Sequence, residues 1–312
     1  MNTFFSSAPP NYATATSNLY LFIQISCRDL LQQMEEINGI NKLINANKKL
    51  NLGFWMNTWN ESFLDINFLH LAQAASSTVG RVIRYDSAKG NGFMISNRLF
   101  LTSNHIVHDD EDAKLSTVEF GYELDENCQP KPTTKFNFAP NDFLIKSPKE
   151  DLDFTIIAIG ERVSGKGELA DFGFCPLKEN DGKYSLGELV NIIQHPGSDF
   201  KKIALRNNRS VAQSNDVLQY YAAVISGSSG SPVFNDKFEP IALHHRGSPS
   251  RQAFTQDGKP GPTEIAEGIS INAIVKKIKL VKSELNLEQR FLIDSALSCS
   301  FSHPSLVLSE IK

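Results

Sequence analysis

GNGFMISNRLFLTSNHIV, residues 90–107, reads as two short strands and a functional residue. Gly90 and Gly92 are expected to bracket a turn into a strand over Phe93–Ile95, and Leu99–Thr102 is the next strand. Short apolar runs cut by Asn, Ser and Gly are a β pattern, because a 3.6-residue helical period is missing. His105 follows Thr102 by three residues, where a strand ends, and strand ends are where shaped sites are built.

The same texture continues outward. The runs Val79–Tyr85, Val118–Tyr122, Phe154–Ile159, Leu189–Ile193, Val233–Phe234 and Ile241–His244 recur between turn residues. Many short strands with Gly, Asn, Asp and Pro between them predict a sandwich or barrel. Strands and helices do not alternate, which excludes a doubly wound sheet. The β texture is expected to end near Ile278.

Helical patterns flank this region. Tyr20, Ile23, Cys27, Leu30, Met34 and Ile37 share one face of a predicted helix that Asn38-Gly39 stops. Leu64, Phe68, Leu71 and Ala75 form a second stripe, with Ser62 and Asp65 as its capping pair. No Pro- or Gly-rich linker separates Ala75 from Val79, which favours packing against the β region over a separate module. Asn286 and Gln289 read as a capping box that opens a helix through about Leu297. The expected organisation is an N-terminal helical extension over 1–78, a β domain over 79–281, and a C-terminal helix and tail over 282–312. Residues 1–16 read as a loose polar arm.

Composition bounds the function. The 312 residues are 41% hydrophobic, enough for a large core. A formal net charge of -4 excludes a strongly basic nucleic-acid binder. Cys27, Cys128, Cys175 and Cys299 form no C-x-x-C pair and are too few for a disulfide scaffold, so free thiols are expected. Residues 1–16 lack Lys and Arg, and the apolar stretch Leu19–Ile25 is too short for a signal peptide or a membrane span. A cytoplasmic protein without a membrane or nucleic-acid partner is expected. His108 and the acidic run Asp109–Asp112 read as a solvated loop. No second spaced His or Cys pair supports a metal site there, and no cofactor is implied.

Two further segments carry chemistry. In SGSSGSPVF, residues 226–234, Ser229 stands before Gly230 and two residues after Gly227. Small residues on both sides let a tight turn expose a hydroxyl and aim backbone N–H groups at an oxyanion. The amides of Gly227 and Ser229 would form that hole. A plain Ser/Gly loop is the alternative for this string by itself. In DLDFTIIAI, residues 151–159, Asp151 and Asp153 would alternate onto one side of an extended chain. Asp153 stands at the mouth of a buried strand, which suits a carboxylate that orients an imidazole; Asp151 reads as the surface residue.

Together these strings resemble a trypsin-like serine peptidase of the chymotrypsin fold, in the branch of the bacterial glutamyl endopeptidases. The matching stretches are GNGFMIS with LTSNH, DFTII, NIIQHPG, GSSGSPVF and ALHHRG, and the order His105, Asp153, Ser229 is the family's order. The resemblance covers about residues 79–281. It implies a mainly β protein with two packed six-stranded antiparallel barrels and the site in the cleft between them. It implies a serine endopeptidase acting on a protein or peptide through His105, Asp153 and Ser229. His244 matches the histidine that lines the specificity pocket in glutamyl endopeptidases, while Val224 stands where a Thr is usual and Arg246 adds charge nearby. Acidic preference is therefore an expectation. Ser228 replaces the Asp that captures a new N-terminal ammonium in secreted zymogens, so residues 1–78 are not expected to need removal. His195 reads as structural, opening a Pro-Gly turn. The alternatives are a catalytically silent scaffold, and an adaptor whose residues 1–78 recruit a regulatory protein partner.

Overall fold

The computed structural model describes residues 63–179, 187–205, 208–214, 216–247, 252–254, 260–263, 265–298 and 302. The expected helix over Tyr20–Ile37 lies outside them, as do its Asn38-Gly39 stop, Ser62 and the arm over 1–16. The chain divides into units 1–65 and 66–312, and the second is described below.

Its first half is an antiparallel sheet of β1(Val79–Arg84), β2(Ser87–Met94), β3(Leu99–Thr102), β4(Ser116–Phe120), β5(Thr134–Phe138), β6(Leu144–Ser147) and β7(Phe154–Ser164). The order β3-β2-β1-β4-β5-β7 closes on itself, because β7 also pairs with β3. Closure removes the exposed edges that an open sheet would present. The second half holds β8(Asn191–Gln194), β9(Lys202–Ala204), β10(Arg209–Gln213), β11(Val217–Tyr221), β12(Pro232–Phe234) and β13(Pro240–Gly247). It continues through a separate two-stranded sheet, β14(Gln252–Phe254) with β15(Pro260–Thr263), to β16(Ile265–Ser270). The order β10-β11-β16-β13-β12-β8 is closed by a bridge from Leu189, just before β8, to Arg209. Each half is thus the expected six-stranded barrel, with β6 or β9 added as a seventh strand.

Period-2 alternation builds three cores. In β3, Phe100 enters the first barrel with Val118, Phe120 and Ile157, whereas Leu99 and Leu101 face outward. In β7, Ile157 and Ile159 point inward while Phe154, Ile156 and Ala158 point away. Both faces are buried over Leu99–Thr102 and Phe154–Ile159, which is why these stretches are largely apolar runs in the sequence, broken only by the buried Thr102 and Thr155. The outward sets meet Phe234, Phe238, Leu243 and Ile269 of the second barrel in one continuous core. Helices α1(Asn67–Thr78), α3(Ile271–Val281) and α4(Leu287–Ser298) cover it. Helix α1 packs, as expected, with the Phe68 and Phe238 ring centroids 4.9 Å apart. The second barrel encloses Val190, Leu218, Tyr220, Val224 and Ile241.

Several expectations change. Gly90 and Gly92 lie inside β2 instead of bracketing a turn. A Cβ on Gly92 would stand 2.2 Å from the Phe100 ring, so close packing explains that glycine. Helix α1 starts after Ile66 without a side-chain cap. The acidic run is the one-turn helix α2(Asp110–Lys114), in which Asp109 accepts from the amides of Glu111 and Asp112. The β texture ends at Ser270, and the amphipathic run to Val281 is helix α3. The Asn286–Gln289 capping box is present, with bonds of 3.2 and 2.9 Å. Among the described residues, no helix is long and apolar enough to cross a membrane.

Candidate active site

Strand register brings two of the predicted residues together. β3 and β7 run antiparallel with Thr102 opposite Thr155. His105 lies three residues beyond Thr102 and Asp153 two before Thr155, so both leave the sheet at one end. His105 donates its backbone N–H to Asp153 Oδ1 at 3.0 Å, and its Nδ1 lies 2.8 Å from Asp153 Oδ2. An ionised carboxylate only accepts, so Nδ1 carries the proton and Nε2 is left as the basic nitrogen. The His105 side chain remains a quarter exposed, while that of Asp153 is enclosed.

The segment holding Asp153 is not extended. The amides of Asp151 and Asp153 both donate to the Pro148 carbonyl, at 2.9 and 3.0 Å, and Asp153 has φ 43°. A left-handed Asp costs on the order of 1 kcal/mol, less than a branched residue would. The Asn104 amide, which donates to the Asp153 carbonyl at 3.1 Å, helps to hold it. The expected alternation of Asp151 and Asp153 is therefore replaced by a turn. Asp151 stays at the surface, paired with Ser147 and Lys277. Burial by itself would raise the Asp153 pKa, but hydrogen bonds from His105 and His245 outweigh it and hold the carboxyl well below the usual range.

Ser229 arrives from the second barrel, on the turn entering β12. Gly227 and Gly230 both have positive φ, 91° and 81°. A Cβ on Gly230 would stand 1.9 Å from the Asn91 carbonyl oxygen, so only glycine fits there. The turn is pinned by Gly230 N–H to the His244 carbonyl (2.7 Å), His244 N–H to the Ser231 carbonyl (2.8 Å) and Asn91 N–H to the Ser229 carbonyl (2.8 Å). The amides of Gly227 and Ser229 bond to no acceptor among the described residues, so both stay free for a ligand oxygen. The Ser229 hydroxyl donates to the His245 carbonyl at 3.4 Å, and not to the His105 ring. Ser228, where a zymogen aspartate is usual, bonds its hydroxyl to the Ile225 amide.

The predicted specificity residues separate. His244 is buried, with Nδ1 2.8 Å from the Tyr220 hydroxyl. Burial first, then the neighbouring His245 and His105, push its ring down to about 3. Arg246 is exposed but binds Glu267 through Nε (2.8 Å) and Nη2 (2.6 Å). Val224 belongs to the second barrel's core. His108 pairs with Asp112 at the surface.

Two residues, Asn91 and Glu267, escaped the sequence reading. Asn91 is fully buried; its Nδ2 donates to the Gly227 carbonyl (2.7 Å), and its Oδ1 faces the His195 amide (3.0 Å) and Nδ1 (2.7 Å). It ties the structural His195 to the Ser229 turn. His245 lies 3.2 Å from Asp153, and Glu267 lies behind it. A polar residue between two glycines and a lone acid in the strand IAEGIS were the available signals.

Residues 90–243 match the family model of the trypsin-like peptidase domain. An uncharacterized protein of Sinorhizobium fredii, y4fB, is 37% identical over 239 residues. The match covers 71% of this chain and 36% of the relative, so the chain spans about a third of that protein's length. Two solved structures are also similar. One is an inactive mutant of Rv3671c from M. tuberculosis, with 13% identity, 72% and 96% of the two chains covered and a TM-score of 0.46. The other is a mutant of human heparin binding protein, with 13% identity, 67% and 93% coverage and a TM-score of 0.48.

Proposed function

We propose that this chain is a serine endopeptidase with His105 as base, Asp153 as its orienting carboxylate and Ser229 as nucleophile. The observation that carries the reading is a buried Asp153 bonded to a partly exposed His105, together with a Ser229 turn, shaped by Gly227 and Gly230, that keeps two amides free. Ser229 gives up its 3.4 Å bond to the His245 carbonyl and donates to His105 instead. Its oxygen attacks the scissile carbonyl as its proton passes to His105 Nε2. The carbonyl electron pair moves onto the oxygen, which the Gly227 and Ser229 amides stabilise. Collapse breaks the C–N bond, and the leaving amine takes the proton from His105. Water then repeats the sequence on the acyl-enzyme and releases the acid.

Acidic preference before the scissile bond is the finer part of this proposal and rests on His244. If Tyr220 donates to Nδ1, the neutral ring keeps an Nε2–H donor for a substrate carboxylate. Arg246 adds little charge, because Glu267 already neutralises it. Removal of residues 1–78 is not required, since Ser228 is satisfied within its own turn. The test is labelling of the full-length chain by a fluorophosphonate probe, with Ser229→Ala as control. Labelling that disappears in the variant supports the reading, and a folded wild type that stays unlabelled overturns it. A peptide library cleaved without enrichment of Glu or Asp rejects the preference.

A further inference from the structure

Resting on that reading, we propose that His245 is a positioning residue, held as an imidazolium between Asp153 and Glu267, that fixes the Asp153 carboxylate beneath His105. The His245 side chain is 8% exposed. Its Nδ1 lies 3.2 Å from Asp153 Oδ2, and its Nε2 lies 3.1 Å from Glu267 Oε1. Ionised carboxylate oxygens only accept, and a neutral imidazole offers one N–H. Both contacts are satisfied only when both ring nitrogens carry protons. A neutral ring would set a lone pair against a buried carboxylate oxygen.

The strand geometry serves this arrangement. β13 and β16 shift register between His244 and Arg246, which leaves His245 as the extra residue. Such a bulge re-aims side chains. Three consecutive residues therefore diverge: His244 to Tyr220, His245 to Asp153, and Arg246 to Glu267.

The charged groups around His245 come from every packed element. His105 contributes Nδ1 and its backbone N–H to Asp153. Glu267 on β16 also accepts from Arg246 on β13, and from Gln219 on β11 at 3.0 Å. His244 is adjacent on β13. Asp153 and Glu267 balance His245 and Arg246 while His105 is neutral. The His245 cation then anchors Asp153 Oδ2, the oxygen that also accepts from His105 Nδ1, and opposes a second positive charge on His105.

The experiment uses the full-length chain carrying ¹⁵N-histidine. In heteronuclear NMR, the His245 signals are identified by their loss in His245→Asn. Both ring nitrogens are expected to be protonated at pH 7, and a single-proton tautomer there overturns the proposal. Fluorophosphonate labelling of Ser229 against pH is the second readout. His245→Asn is expected to slow labelling by about 10–100-fold and to move the acid limb up by about half to one pH unit. A uniform loss with an unmoved limb overturns the positioning role. Should that variant fail to fold, Glu267→Gln replaces it: the His245 ring is then expected to carry a single proton at pH 7, and an unchanged doubly protonated ring refutes the dependence on Glu267. Absence of labelling in the wild type would overturn the peptidase reading, while the nitrogen signals still decide the charge on His245.

Discussion

Replacing Asn91 tests whether the Ser229 turn is held from the first barrel. The side chain is fully buried and makes three bonds of 2.7–3.0 Å, to the Gly227 carbonyl, the His195 amide and His195 Nδ1. Asn91→Ala leaves those groups without partners. Each such group costs about 1–3 kcal/mol, and local relaxation recovers part, so a loss of about 2–4 kcal/mol is expected. Asn91→Asp separates the two ends of the side chain. It keeps an acceptor for the His195 donors but sets a second oxygen against the Gly227 carbonyl, where Nδ2 now donates at 2.7 Å. Repulsion there would tilt the turn that carries the Gly227 and Ser229 amides. Removing a single oxyanion donor costs about 100–1,000-fold in turnover, so a displaced one should cost at least about tenfold. Urea unfolding gives stability, and the rate of fluorophosphonate labelling reports the site. Either variant labelling at the wild-type rate, with stability within about 0.5 kcal/mol of wild type, would refute the role given to Asn91.

Gly230→Ala places a methyl 1.9 Å from the Asn91 carbonyl oxygen at φ 81°, so a loss of about 2–5 kcal/mol and abolished labelling are expected, measured by urea unfolding and probe incorporation. The His244 pKa falls from an unfolded value near 6.5 to about 3 in the folded chain. The unfolded state therefore binds the extra proton in that window, and stability should decline as pH falls from about 6.5 to about 3. A shallower decline in His244→Gln, read from urea midpoints between pH 4 and 8, would check this, and parallel curves would contradict it. Asn286→Ala removes the side-chain cap contact of the α4 box, in which Asn286 Oδ1 accepts from Gln289 N–H, and should cost about 1 kcal/mol without changing labelling.

The strands that were legible from the residues are those buried on both faces. Phe154–Ile159 and Leu99–Thr102 are mostly apolar because each side fills a different core. Strands β10, β11 and β16 were missed because Arg209, Ser210, Gln213, Gln219 and Glu267 interrupt their apolar residues, which blurs any run. Helix α3 was missed for the opposite reason: Ile271, Ile274, Val275 and Ile278 follow a strand without a break, and only the helical period separates them from it. The Gly90–Gly92 spacing was read as a turn because a glycine that makes room for the Phe100 ring looks, in one dimension, like a glycine that bends the chain.

The sequence by itself determined a β region of many short strands, and the local chemistry of the Ser229 turn, since both depend on residues within a few positions of each other. Tertiary structure decided everything that joins distant segments. The register of β3 against β7 sets His105 beside Asp153 across 48 positions. Folding of the second barrel onto the first gives Asp153 a second histidine from 92 positions away, with Glu267 behind it. Burial then sets the ionisation of Asp153 and His244, through desolvation and through partners whose distances no spacing in the sequence encodes.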